Sequence, residues 1–213
     1  MTLGQPLVVL ESKPSAKKSE DICFVRQDNY GGARTLAKHL IEVGARRLVH
    51  LVPKLSWPAI AERRRGVESA LRGVRGTSLA VVTSGEGFEE TQAALDAYLE
   101  HNAAPDAVMG ANDQMGIAAM RLLIARGHRV PQDVMVTGFN AFEFRRYTNP
   151  VLTSVISSAY DIGSRAGAEL LHRLIHGTFA KSDILLPTAF IAGESTASAK
   201  SMRAQPQRKA PGR

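Results

Sequence analysis

Short runs of Val, Ile, Leu and Met with little polar alternation recur along this chain. Each is followed by a stretch in which apolar residues return every three or four positions. Runs of the first kind suit strands covered on both faces, and the second period is that of an amphipathic helix. The pattern predicts strands over 6–11, 22–27, 47–52, 78–83, 107–111 and 134–139, with helices over 30–43, 59–72, 89–101 and 113–126. A short irregular stretch follows 139, then a strand near 152–156, a helix over 160–176 and an extended end over 184–193. Gly44 and Gly127 stand where a left-handed C-cap belongs. Helices placed between non-alternating strands mean an α/β fold with mostly parallel sheets.

The same order suggests two units. Residues 1–45, completed by about 156–182, form one; residues 46–155 form the other; 183–197 adds a C-terminal strand segment. Residues 12–20, "SKPSAKKSE", read as a polar loop.

Strand ends carry the candidate chemistry. In "AVMGANDQMG" a buried strand stops at Asn112-Asp113, where a helix begins. Asn112 there is either a helix cap or a group facing a ligand. "TGFN" makes the same handover at Asn140, and Phe88 follows Gly85-Glu86-Gly87 just past a strand end, as a staple or as a stacking ring. If the strands are parallel, Phe88, Asn112 and Asn140 share one sheet edge, where open α/β sheets bind ligands. Arg63, Arg64 and Arg65 fan around most of a helix circumference, so at least one turns toward the protein or a cleft. Arg63 is a candidate for a bidentate contact with a polar ligand.

Composition narrows the function. The net charge is +7, but Lys200, Arg203, Arg208, Lys209 and Arg213 supply five of those charges from the last fourteen residues. Residues 198–213 therefore read as a solvated, disordered basic tail rather than a DNA-binding face. No apolar run reaches membrane-spanning length, no signal peptide is visible, and Cys23 is the one cysteine, which fits the cytoplasm. "SGEGFEE" puts Glu90 where a dinucleotide fingerprint needs its third glycine. His172 and His176 share a helix face but have no acid or cysteine partner in sequence, so neither metal nor cofactor is expected. No nucleophile elbow or P-loop is present, which argues against an enzyme.

"PDAVMGANDQMGIAAMRLLIARGHRVPQDVMVTGFN" (105–140) and "NPVLTSV" (149–155) resemble the effector-binding core of the lactose/galactose repressor (LacI/GalR) family. "DNYGGARTLAKHLIEVGARRLVHL" (28–51), "ERRRGVESAL" (62–71) and "LPTAFIAGEST" (186–196) follow in the family's order. The resemblance implies a periplasmic-binding-protein-like fold, with one complete lobe, one truncated lobe and a ligand cleft between them. It matches Arg63 to the arginine of the family's R-x-x-G motif, Phe88 to its stacking aromatic and Asn112 to the effector-facing amide. Two positions depart from it: Asn140 stands where sugar-responsive members commonly have Asp, and Ser157 where many have Gln.

The expected function is the effector-sensing core of a bacterial transcription repressor, with operator DNA reached through a headpiece that this chain lacks. A stand-alone sugar-binding module is the alternative. The 113–126 helix is apolar almost all round, so a homodimer with Ile117 and Tyr147 at the contact is expected.

Overall fold

Alternate residues of the strand over residues 47–53 serve opposite faces. Val49 and Leu51 join one apolar cluster, and Leu48 joins another. Both faces must therefore be covered, which sets the architecture.

The computed structural model describes residues 5–12, 20–55, 57–157 and 159–196. Strands β1 (Leu7–Leu10) and β2 (Ile22–Gln27) precede helix α1 (Asn29–Glu42). Then β3 (Arg47–Pro53), α2 (Pro58–Leu71), β4 (Ser78–Ser84), α3 (Phe88–His101), β5 (Ala107–Gly110), α4 (Asp113–Ala125) and β6 (Met135–Thr137) alternate. A 3-10 turn (Glu143–Tyr147), β7 (Ser154–Ile156), α5 (Ala159–His176), β8 (Asp183–Leu186) and β9 (Ala189–Ile191) follow. The expected basic tail and most of the expected polar loop lie outside the described residues.

The larger sheet has the order β4-β3-β5-β6, all parallel. Helices α1 and α2 cover one face through Leu36, Leu40, Val67 and Ala70. The other face is covered by α3 and α4 through Leu95, Met115, Met120 and Leu123. A second parallel sheet, β1-β2-β8, carries α5, with Cys23, Val25, Ile162 and Ile184 between them. β7 and β9 pair antiparallel, so the expected extended end over 184–193 splits between two sheets.

The expected break after residue 45 is corrected by this packing. Ala33, Leu36, Ala37 and Leu40 of α1 share a core with Leu48, Ala107 and Met109 of the larger sheet. The cause is the close approach of α1 and α2. A Cβ on Gly66 would lie 2.3 Å from the Tyr30 carbonyl oxygen and 3.0 Å from the Arg34 nitrogen. Glycine there lets α2 press onto the first turn of α1, a contact that any side chain would force apart.

The expected strand over 134–139 is only three residues long. Beyond Thr137 the chain leaves the ladder for isolated bridges, Thr137–Thr153 and Asn140–Ile156. It then turns through two successive non-glycine residues with positive φ, Asn140 at 106° and Ala141 at 51°. Such a backbone costs of the order of 1–3 kcal/mol per residue unless its surroundings over-determine it. Here they do, through Asn140 N–H to the Val155 carbonyl (2.9 Å), Ser157 N–H to the Asn140 carbonyl (3.1 Å) and Ala141 N–H to Ser154 Oγ (3.1 Å). Gly44 and Gly127 have positive φ, as their C-cap positions require. Among the described residues no helix is long and apolar enough to cross a membrane.

Candidate functional site

The C-terminal ends of β1, β2, β5 and β6 deliver their following residues to one cavity of about 780 Å3. Glu11 and Gln27 come from the smaller sheet, Asn112 and Asn140 from the larger one. Trp57, Pro58, Ile60 and Arg63 enter from α2, Phe142 and Phe144 from the turn after β6, and Ala159 and Ile162 from the start of α5.

Arg63 is buried at the edge of this cavity. Its Nε donates to Asn29 Oδ1 (2.9 Å), Nη1 to the Ala111 carbonyl (2.6 Å) and Nη2 to Asn140 Oδ1 (3.1 Å). Its guanidinium carbon sits 3.8 Å from the centroid of the Phe139 ring. Burial pulls its pKa down to about 10, with Glu11 and Asp113 acting in the other direction, so it stays cationic at neutral pH. Asn29 is itself held by Glu11, whose carboxylate accepts from Asn29 Nδ2 (2.9 Å), Gln27 N–H (2.9 Å) and Gln27 Nε2 (3.3 Å). A chain of polar contacts thus runs from the end of β1 through α1 and α2 to the turn after β6.

Asn112 caps a helix and also borders the cavity. Its Oδ1 accepts from Met115 N–H at 2.8 Å and caps α4, and the residue lines the cavity, where Nδ2 remains as a donor. Asp113 does more than start the helix. It is fully buried, accepting from Phe142 N–H (2.7 Å) and Ser154 Oγ (2.5 Å), and so locks α4 to the strained turn. Burial pushes its pKa up to about 6 despite those hydrogen bonds and the Arg145 and Arg63 charges.

Two expectations are corrected. Phe88 is not among the cavity's lining residues: it packs on the larger core with Arg121 5.5 Å above its ring, while Glu86, two residues earlier, lines the cavity. Glu90 accounts for the motif, because its Oε2 accepts from Gly87 N–H at 3.1 Å and caps the helix that Phe88 begins. Ile117 keeps 8% exposure and belongs to the core, whereas Ile124 (43%) and Tyr147 (81%) face outward. Periodicity does not fix the rotation of an almost wholly apolar helix, so it does not tell Ile117 from Ile124.

Sequence reasoning missed Glu11, Trp57, Phe142 and Phe144. The signal for Glu11 was the one used elsewhere, a polar residue directly after an apolar strand. For Trp57 it was an aromatic directly before the helix-starting Pro58. Among the described residues lining the cavity there is no histidine, cysteine or lysine. What the arrangement offers is half-exposed aromatic surface, amide and hydroxyl groups, and the Glu86 carboxylate: groups suited to recognition.

His50, under α1 and α2, is also buried, with Nδ1 unpartnered and its pKa pushed down to about 4 by burial and then by Arg63 and Arg64. Between about pH 4 and 6 the folded chain holds a proton on Asp113 that the unfolded chain lacks, so acidification through this window adds stability. Over about pH 6.5 to 4 the unfolded chain protonates His50 and the folded chain does not, so acidification removes stability. The two opposing slopes offset each other in the native chain. Asp113→Asn still accepts from Phe142 and can donate to Ser154, but it removes one slope. In urea unfolding, lowering the pH from 6.5 to 4.5 is expected to cost this variant about 2 kcal/mol more than the native chain. Parallel pH profiles would contradict the buried-carboxylate account.

Residues 37–196 match the family of the periplasmic binding protein-like domain. The HTH-type transcriptional regulator CelR of Thermobifida fusca is 31% identical over 189 residues, which cover 88% of this chain and 56% of CelR. The ribose operon repressor of Halalkalibacterium halodurans is 26% identical, covering 91% of this chain and 57% of the repressor. The chain thus spans just over half the length of these relatives. The structure of transcriptional regulator CelR in complex with cellobiose superimposes with a TM-score of 0.79 at 30% identity, covering 88% of this chain and 58% of that one. The α/β architecture, the cavity at its strand ends and these matches agree: the chain belongs to the periplasmic binding protein-like domain family and corresponds to the effector-binding core of LacI-family regulators.

Proposed function

We propose that the chain senses a small neutral carbohydrate for a LacI-type transcription regulator, acting in the cytoplasm without catalysing a reaction. Operator DNA would be contacted through a headpiece of the helix-turn-helix kind named for CelR. One observation carries the reading. Arg63 donates to three neutral acceptors at the cavity edge, while Trp57 (50% exposed), Phe142 (46%) and Phe144 (45%) present apolar rings to the same cavity. Asn140 Oδ1 is used by Arg63, so this amide has Nδ2 to offer where a carboxylate would offer charge. Donors from Asn112 and Asn140, the Glu86 acceptor and flat aromatic surface suit hydroxyl groups on a ring with an apolar face, and the cellobiose bound to CelR has that chemistry.

Trp57 is the single tryptophan, so its emission reports on the cavity directly. Titration with cellobiose is expected to change that emission to saturation. Phe144→Ala, a half-exposed position, should weaken binding about tenfold (about 1.4 kcal/mol) and leave the urea midpoint in place. If neither cellobiose nor ribose alters the emission or releases heat at 10 mM, roughly tenfold above a 1 mM dissociation constant, the carbohydrate reading is wrong.

The second part of the proposal is a homodimer through an exposed apolar patch of the larger unit, with Tyr147 (81% exposed) at or near the contact. A two-fold contact lets such a patch cover itself, and a charge placed there enters the interface twice. Sedimentation equilibrium of the native chain should give a dimer, and Tyr147→Glu a monomer. Equal masses for the two proteins would remove Tyr147 from the contact.

A further inference from the structure

His172 and His176 lie one turn apart near the C-terminal end of α5, and their ring centroids are 4.4 Å apart with the planes tilted by 43°. His172 Nδ1 is 2.9 Å from the Thr178 carbonyl oxygen. A carbonyl can only accept, so Nδ1 carries the proton. In the neutral ring the lone pair is then on Nε2. A backbone carbonyl that fixes the tautomer in this way is the usual outer support of a metal-ligating histidine. The spacing also fits. With metal–nitrogen bonds of about 2.0–2.1 Å, two imidazoles bound at right angles to each other, as on a square-planar or octahedral ion, have ring centres about 4.5 Å apart.

We propose that His172 and His176 form a binding site for a divalent first-row transition ion of the nickel, copper or zinc type, separate from the cavity. Imidazole nitrogen prefers these ions to magnesium or calcium, which take oxygen ligands. The last carbonyls of a helix and the negative end of its dipole add favourable potential for a cation. The neighbouring cation Arg173 is occupied elsewhere: it donates to Asp21 Oδ1 (2.5 Å) and to the Gly177 carbonyl. Ile162, at the cavity, lies ten residues from His172 along α5, about 15 Å at the helical rise. A bound ion would clamp the last turn of α5 beside Gly177, whose φ of 78° reverses the chain toward β8. Among the described residues no cluster of three or more His, Cys, Asp or Glu side chains could hold a metal ion, so water completes the coordination and the affinity is modest.

The test is a titration of the untagged full chain with Ni2+, followed by the imidazole proton signals of its six histidines. The signals of His172 and His176 are expected to broaden first, before those of His101 and His128. His172→Gln and His176→Gln should each weaken binding at least tenfold with an unchanged urea midpoint. A His101→Gln/His128→Gln double variant should bind as the native chain does, and Mg2+ should leave the spectrum unaltered. Simultaneous broadening of all exposed histidines, or either single glutamine variant binding as tightly as the native chain, would overturn the proposal.

Discussion

A guanidinium taken out of water must find an acceptor for its donors or lose several kcal/mol for the lack of them. Arg63 is in that position, and what it finds fixes the geometry around it. Its three partners come from the start of α1, the end of β5 and the turn after β6, three segments far apart in sequence. Through Asn29 the network reaches Glu11, at the end of an edge strand of the other sheet. Pairing this one charge therefore holds the cavity walls in register, and Gly66, one turn further along α2, permits the helix contact that puts Arg63 within reach of Asn29.

The walls thus positioned are asymmetric in chemistry. The floor is polar: Asn29, Asn140 and Glu11 spend acceptors on the protein itself, while Gln27 Oε1 is buried without a partner. The rim is aromatic and half-exposed, with Phe142 and Phe144 carried on a turn held by the buried Asp113. In the proposed reading, the flat face of an uncharged ligand would lie on these rings and its hydroxyl groups would meet the polar base.

Much of this was legible in the residues. Non-alternating strands gave the parallel sheets, and polar residues directly after them marked Asn112 and Asn140 as members of one cavity. Arg63, one of three consecutive arginines, faces inward, while Arg64 makes a surface pair with Glu68. What was not legible depends on rotation and on distant pairing. Phe88 and Glu86 both follow the same strand, and only the way α3 leaves its Glu90 cap decides which of them faces the cavity. Ile117 and Ile124 stand on a helix with too few polar residues to orient it. The assignment of α1 to the larger sheet rests on its contact with α2, which no period along α1 reveals. Glu11 meets Asn29 only because β1 and β2 run parallel and end together.

The most direct test is the unfolding free energy of Arg63→Met, which keeps an unbranched apolar stem and removes the guanidinium with its donors. The Ala111 carbonyl and Asn140 Oδ1 would then lose a partner each, and Asn29 Oδ1 would keep only Gln27 Nε2 (3.3 Å), at about 1–3 kcal/mol for every buried acceptor left bare. A loss of about 3 kcal/mol or more in urea unfolding is the predicted result. A change within about 0.5 kcal/mol, the range of an ordinary surface substitution, would contradict the role given to this side chain.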